Sequence, residues 1–222
     1  MTIRAKLYTA IVVAVAGLAI TAGVGAWAMN ELGNRFEDVQ QAADARALAL
    51  RLKFDVTDFN GWQTAYGYDN GKSRPIYLAA FKRFENNLGT ARRALETPRE
   101  TSLLDRIGDA ANDFDRLDAV AWASLQAGRT EEVRRIFLGP EIANFQRAAI
   151  SAQQLAELED ANASSQEQAF EDARDNALRV LVGAAIAAAL LVVILLVTAT
   201  DLARQAESAL ERDENDDPSA EA

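Results

Sequence analysis

Two stretches interrupt an otherwise regular alternation of apolar and charged positions. Leu7 to Met29 holds 23 residues without a charge, and Val180 to Thr200 holds 21 more. As helices rising about 1.5 Å per residue they reach about 31–35 Å, against a hydrocarbon core of about 30 Å. The pattern predicts transmembrane helices at 7–29 and 180–200. Arg4 and Lys6, with no acid beside them, keep residues 1–6 cytoplasmic by the positive-inside rule. The 150 residues from Asn30 to Arg179 then form an extracytoplasmic domain, and residues 201–222 a short acidic cytoplasmic tail. A secretory signal is the alternative for the first run, since Ala26-Trp27-Ala28 fits a small-x-small cleavage site. Against it, the run exceeds a typical signal core of about 7–15 residues, and helical periodicity resumes directly after it.

Between the two runs, apolar residues recur every three or four positions. Leu32, Phe36, Val39, Ala43, Ala47, Leu50, Phe54, Phe59, Trp62 and Tyr66 predict one amphipathic helix that prolongs the first run to about Asp69. Asp69-Asn70-Gly71 is a turn signal, and Pro75 fits the first turn of a second helix carrying Tyr77, Phe81, Phe84, Leu88, Ala91 and Leu95. Thr97-Pro98-Arg99-Glu100 reads as a capping box opening a third helix, with the stripe Leu104, Ile107, Ala111, Phe114, Leu117, Ala121 and Leu125 and with Gly128 as its C-terminal cap. Thr130-Glu131-Glu132 opens the fourth, which passes Val133, Phe137, Ile142, Phe145, Ala149, Ala152 and Leu155 into the second run, with a break or kink at Gly139-Pro140. Short connections make sequential helices antiparallel. The expected fold is all-α: two transmembrane helices flanking an extracytoplasmic up-down-up-down four-helix bundle.

Composition narrows the function. Cysteine and histidine are both absent, which removes disulfides, thiol or imidazole nucleophiles, zinc-thiolate sites, His-ligated haem and a phosphohistidine from these residues. A net charge of −10 disfavours nucleic acid, whose phosphates are bound through Lys and Arg. No base or nucleophile constellation stands out, so the chain reads as no enzyme, and no cofactor or metal is expected.

Three motifs invite chemistry. Gly71-Lys72-Ser73 resembles the end of a phosphate-binding loop, but Tyr66 stands where the first glycine belongs and no strand precedes it. Asp105, Asp109, Asp113, Asp115 and Asp118 read as a solvated helix face, because carboxylate di-metal bundles use Glu-x-x-His pairs. The distinctive stretch is Asp58 to Asp69, DFNGWQTAYGYD. Its two glycines each cost a helix about 1 kcal/mol relative to alanine. Helix lengths bring Trp62 and Trp122 to the same membrane-distal end, with Tyr66, Tyr68, Tyr77 and Phe137 gathering there. Two readings stay open: an aromatic-lined pocket with Asn60, Gln63 and Asp69 as orienting polar groups, or a distal core of large rings in which the glycines permit close helix approach.

The order of run, long helix, short hairpin, long helix and run resembles the four-helix-bundle sensor domain of methyl-accepting chemotaxis receptors. Asn60-Gly61-Trp62-Gln63-Thr64-Ala65-Tyr66, followed by Asp69, resembles the end of the first sensor helix in a subset of them. The resemblance implies a parallel homodimer in membrane lipid that senses a small molecule outside and passes a helix displacement inward. On the pocket reading of the distal stretch, the ligand contacts would be Asn60, Trp62, Gln63, Tyr66, Asp69 and Trp122. Asp201-Leu202-Ala203-Arg204 lacks the Pro-Leu pair that opens a HAMP module, and no cytoplasmic signalling domain is expected after it. Output would then pass through a partner membrane protein, or the chain is a receptor fragment with no output of its own. The alternative is a membrane-tethered helical scaffold of a cell-envelope complex that binds no ligand.

Overall fold

The computed structural model describes residues 3–215; the last residues of the expected acidic tail, 216–222, lie outside the described residues. Among the described residues the chain is all-α, without a strand. Helix α1 is Ile3–Tyr68, α2 Arg74–Ala94, α3 Pro98–Gln126 and α4 Thr130–Ile136; a π-helical turn, Phe137–Glu141, leads into α5, Ile142–Asn215.

The turns follow the expected chemistry. Asn70 and Gly71 both take positive φ, 59° and 89°, and the Gly71 N–H donates to the Tyr66 carbonyl at 2.8 Å, closing the end of α1. Only a residue without Cβ fits there, because a Cβ on Gly71 would stand 2.7 Å from the Trp122 ring. Pro75 occupies the first turn of α2. Both halves of the α3 capping box form: the Glu100 N–H donates to Thr97 Oγ1 at 3.3 Å, and the Thr97 N–H donates to Glu100 Oε2 at 2.9 Å. Gly139-Pro140 does not end the fourth helix. The π turn widens around them and the chain continues helical.

The chain divides into two compact units. In the first, which among the described residues is 3–36 with 169–215, the apolar windows of α1 and α5 are each long and apolar enough to cross a membrane, with side chains largely exposed. They meet through small residues: Gly17 lies against Leu191, and Ala14, Thr21 and Ala188 border the same crevice.

The second unit, residues 37–168, holds the core. Leu52, Val56 and Phe59 of α1 share it with Phe81, Phe84 and Leu88 of α2, Leu104, Ile107 and Phe114 of α3, and Ala148, Ala152 and Leu155 of α5. Phe59 sits at its centre, 5.2 Å between ring centroids from each of Phe81, Phe84 and Phe114. An aspartate enters this core with full compensation. Asp55 is buried yet accepts from Arg83 Nε at 2.9 Å and Asn87 Nδ2 at 2.6 Å, tying α1 to α2. Part of the predicted α1 stripe faces elsewhere: Phe36, Leu50 and Phe54 are exposed, Phe54 at 63%. The helix carries two apolar faces, and the side of Ala49, Leu52, Val56 and Phe59 is the one this core takes.

Candidate functional site

At the end of α1 the core changes character from hydrocarbon to polar aromatic. Tyr66 is fully buried, with ring centroids 5.7 Å from Tyr77, 5.7 Å from Trp122 and 6.0 Å from Phe137. Its hydroxyl donates to Asp118, a carboxylate only 1% exposed. Arg74 Nη1 donates to the other Asp118 oxygen at 2.9 Å, and the guanidinium lies 4.4 Å from the Trp122 ring centroid and 5.1 Å from that of Tyr66. Burial raises Asp118 above the usual carboxylate range, while the Tyr66 hydroxyl and Arg74 pull the other way. Desolvation, then the negative charge of Asp118, push the Tyr66 phenol upward, so it stays a neutral donor.

The placement of Asp118 corrects the solvated aspartate face. Asp105 and Asp109 are exposed and Asp113 is solvent-accessible, with Asp105 meeting Arg92 at 3.2 Å and Asp113 meeting Arg147 at 2.9 Å. Asp118 instead points inward. It follows Phe114 by four residues and precedes Ala121 by three, which is the spacing of the buried stripe.

Beside this closed cluster lies an open one. A groove of about 580 Å³ runs between the last turns of α1 and the segment from α4 through the π turn into α5. Val133, Phe137, Leu138, Ile142 and Phe145 form its apolar wall; Asn60, Gln63, Thr64, Arg134 and Glu141 supply polar groups. Two of these are buried without partners. Both Glu141 carboxylate oxygens lack a hydrogen bond although the residue is 1% exposed, and Gln63 Nε2 lacks one at 2% exposure. The Gln63 amide lies close enough to favour charge on Glu141 but makes no well-formed hydrogen bond with it. Burial, then the negative charge of Asp118, push Glu141 up to about 8.

The six residues of the sequence-derived site separate accordingly. Asn60 and Gln63 line the groove. Tyr66 and Trp122 belong to the closed cluster, while the Trp62 indole packs on the core and donates to Asp58 at 3.1 Å. Asp69 accepts from the Ser73 N–H at 3.2 Å and from its hydroxyl, and these bonds hold it below the usual carboxylate range. Tyr68 does not join the aromatic cluster; it stands 89% exposed at the groove's edge. The glycines divide as well. A Cβ on Gly67 would overlap the Phe137 ring, whereas Gly61 meets no neighbour. Close approach explains only the first.

Sequence reasoning did not single out Glu141 or Arg74. Glu141 continues the four-residue steps of Val133, Phe137 and Phe145, and an acid at a core-spaced position is the signal that marks it.

Compared with models of protein families, with curated proteins and with solved structures, the chain finds no match.

Proposed function

We propose that the chain is a membrane-anchored sensory module: α1 and α5 cross the inner membrane, residues 30–179 stand outside as an up-down-up-down bundle, and the groove takes a small extracytoplasmic molecule. The groove carries this reading. Buried polar groups in folded proteins are nearly always paired, and each unpaired group costs about 1–3 kcal/mol, so Glu141 and Gln63 mark a place kept for something other than the chain itself. Groove volume and an apolar wall with few polar groups are typical of small-molecule sites. Because α1 and α5 both border the groove and both run on into the apolar windows, a ligand that shifts one against the other has a direct route inward.

A parallel homodimer belongs to the same reading. Gln40, Ala43, Ala47, Leu50, Phe54 and Thr57 recur at alternating three- and four-residue steps along the exposed face of α1, the spacing at which a second identical helix interlocks. Single cysteines at Gln40 and Ala47 should crosslink between copies in membranes, and one at exposed Asn86 of α2 should not. Equal crosslinking at all three would remove the dimer.

The sensory reading is tested by screening metabolites for thermal stabilisation of the full chain in lipid nanodiscs. A stabilising compound should lose its effect in Asn60→Ala and Gln63→Ala and keep it in Asn86→Ala. If no compound stabilises, or if the shift survives in every variant, the scaffold reading takes its place.

A further inference from the structure

The unpartnered carboxylate narrows the class of ligand. Resting on the sensory reading above, we propose that the groove binds an organic ammonium cation with an apolar body, the charged head seated on Glu141 and the body against Val133, Phe137, Leu138 and Phe145. An ionised carboxylate accepts only, with about four lone-pair sites, and both Glu141 oxygens are vacant. The ionised form is completed by N–H or O–H donors, and charge-assisted donors are about twice as strong as neutral ones.

The field at the site selects positive charge. Asp118 of α3 acts on Glu141 as a second negative group, and Tyr66 of α1 beside it is a neutral phenol. Arg74 of α2 is already engaged by Asp118 and by the ring faces of Tyr66 and Trp122. The remaining cation, Arg134, lines the groove from an exposed position, has no ion pair among the described residues, and leaves Glu141 unpaired. Phe137 and Phe145 line the same space, and an aromatic ring is a further attraction for an ammonium group. An anionic ligand would bring its charge up to Glu141 and Asp118 with only the Gln63 amide and the exposed Arg134 to offset it. A neutral alcohol brings one donor and no charge to set against Asp118.

Binding should also move a proton. With its carboxyl raised to about 8, Glu141 is mostly protonated at pH 7 when the groove is empty, and an ammonium head must displace that proton to form the pair. Affinity for a permanently protonated amine therefore rises up to about tenfold per pH unit from pH 6 to 8 and then levels off.

Phenethylamine, 2-phenylethanol and 3-phenylpropionate, matched in their apolar part, serve as probes of the full chain in nanodiscs, titrated calorimetrically between pH 6 and 8. Phenethylamine should bind at least tenfold tighter than either of the others. At pH 7 its binding should release close to one proton, measured from the dependence of the heat on buffer ionisation in wild-type protein, which needs no variant. Glu141→Gln should erase both the preference and the pH slope while the chain stays folded by circular dichroism. Preference for the alcohol or the acid, or amine binding unchanged by Glu141→Gln, overturns the ammonium inference and leaves the sensory reading standing if the metabolite screen yields a compound dependent on Asn60 or Gln63. If none of the three probes binds and that screen also yields nothing, both fall together.

Discussion

Asp118 and Glu141 are neighbouring carboxylates, each 1% exposed, and they are treated in opposite ways. Asp118 has a phenol on one oxygen and a guanidinium on the other, and both donors are packed by aromatic rings. Glu141 has neither donor, and a groove in front of it. A buried charge with its partners supplied by the chain is part of the fold, since removing one partner leaves the rest stranded. A buried acid on which even the nearest amide, Gln63, closes no hydrogen bond is a cost the fold leaves largely unrepaid. The end of α1 therefore meets a closed polar cluster that fixes geometry and an open one that a ligand can complete, separated by the Phe137 ring, which touches both.

The comparison breaks most sharply at Asp118. Asp118→Ala strands Arg74 and the Tyr66 hydroxyl in a space built for an anion, and should cost about 3–5 kcal/mol, read from urea unfolding of the full chain. Glu141→Ala empties a position that had no partner to lose and should cost clearly less. Equal losses would show that the two carboxylates do not differ in role.

Next in size is the pH dependence. Glu141 has an ordinary value of 4.5 and is raised to about 8 in the folded chain. Between those values the folded state holds a proton that the unfolded state has released. Stability from this group is full below about pH 4.5 and is lost as pH rises toward 8, with a slope of up to about 1.4 kcal/mol per pH unit. Unfolding free energies of wild type and Glu141→Gln, compared from pH 5 to 8, should diverge with the variant the flatter. Asp118 and Glu159, also raised by burial, contribute alike to both proteins and cancel in the difference.

A smaller change sharpens the closed side. Tyr66→Phe keeps the ring and its packing on Tyr77, Trp122 and Phe137 but leaves one Asp118 oxygen without a donor. Arg74 still holds the other, so a loss of about 1–2 kcal/mol is expected in the same unfolding experiment.

Helix number, the Asn70-Gly71 turn and the Thr97 capping box were legible because each rests on local chemistry within a few residues. The closed and open clusters were not, although their positions carried a mark. Asp118 falls on the alternating four- and three-residue steps of Ile107, Ala111, Phe114, Ala121 and Leu125, and Glu141 on the steps of Val133, Phe137 and Phe145. An acid at such a position reads as solvent-facing until its donor is known. Arg74, the donor for Asp118, precedes the α2 proline and lies outside any apolar stripe, so only the folded turn brings it in. Glu141 depends on the π turn around Pro140, whose extra residue re-phases the helix that follows. Leu50 and Phe54 mislead in the other direction: periodicity says apolar face but not which partner covers it, and the helix carries two such faces.

The smallest effects test the wall between the two clusters. Gly61 and Gly67 sit six residues apart in α1, each weakening the helix by about 1 kcal/mol relative to alanine. At Gly61 a methyl group meets nothing, so Gly61→Ala should recover up to that amount. At Gly67 the methyl would overlap Phe137, the ring that backs Tyr66 on one side and lines the groove on the other. The ring must shift to clear the methyl, so a mid-range overpacking cost of about 2 kcal/mol should leave a net loss of about 1 kcal/mol after the helix gain. The displaced ring has the groove to move into. Gly67→Ala should therefore weaken binding of any compound found to bind the groove while Gly61→Ala leaves it unchanged. Matching stability gains in both variants would show that Phe137 is not held against α1, and the boundary between the closed and open clusters would have to be drawn elsewhere.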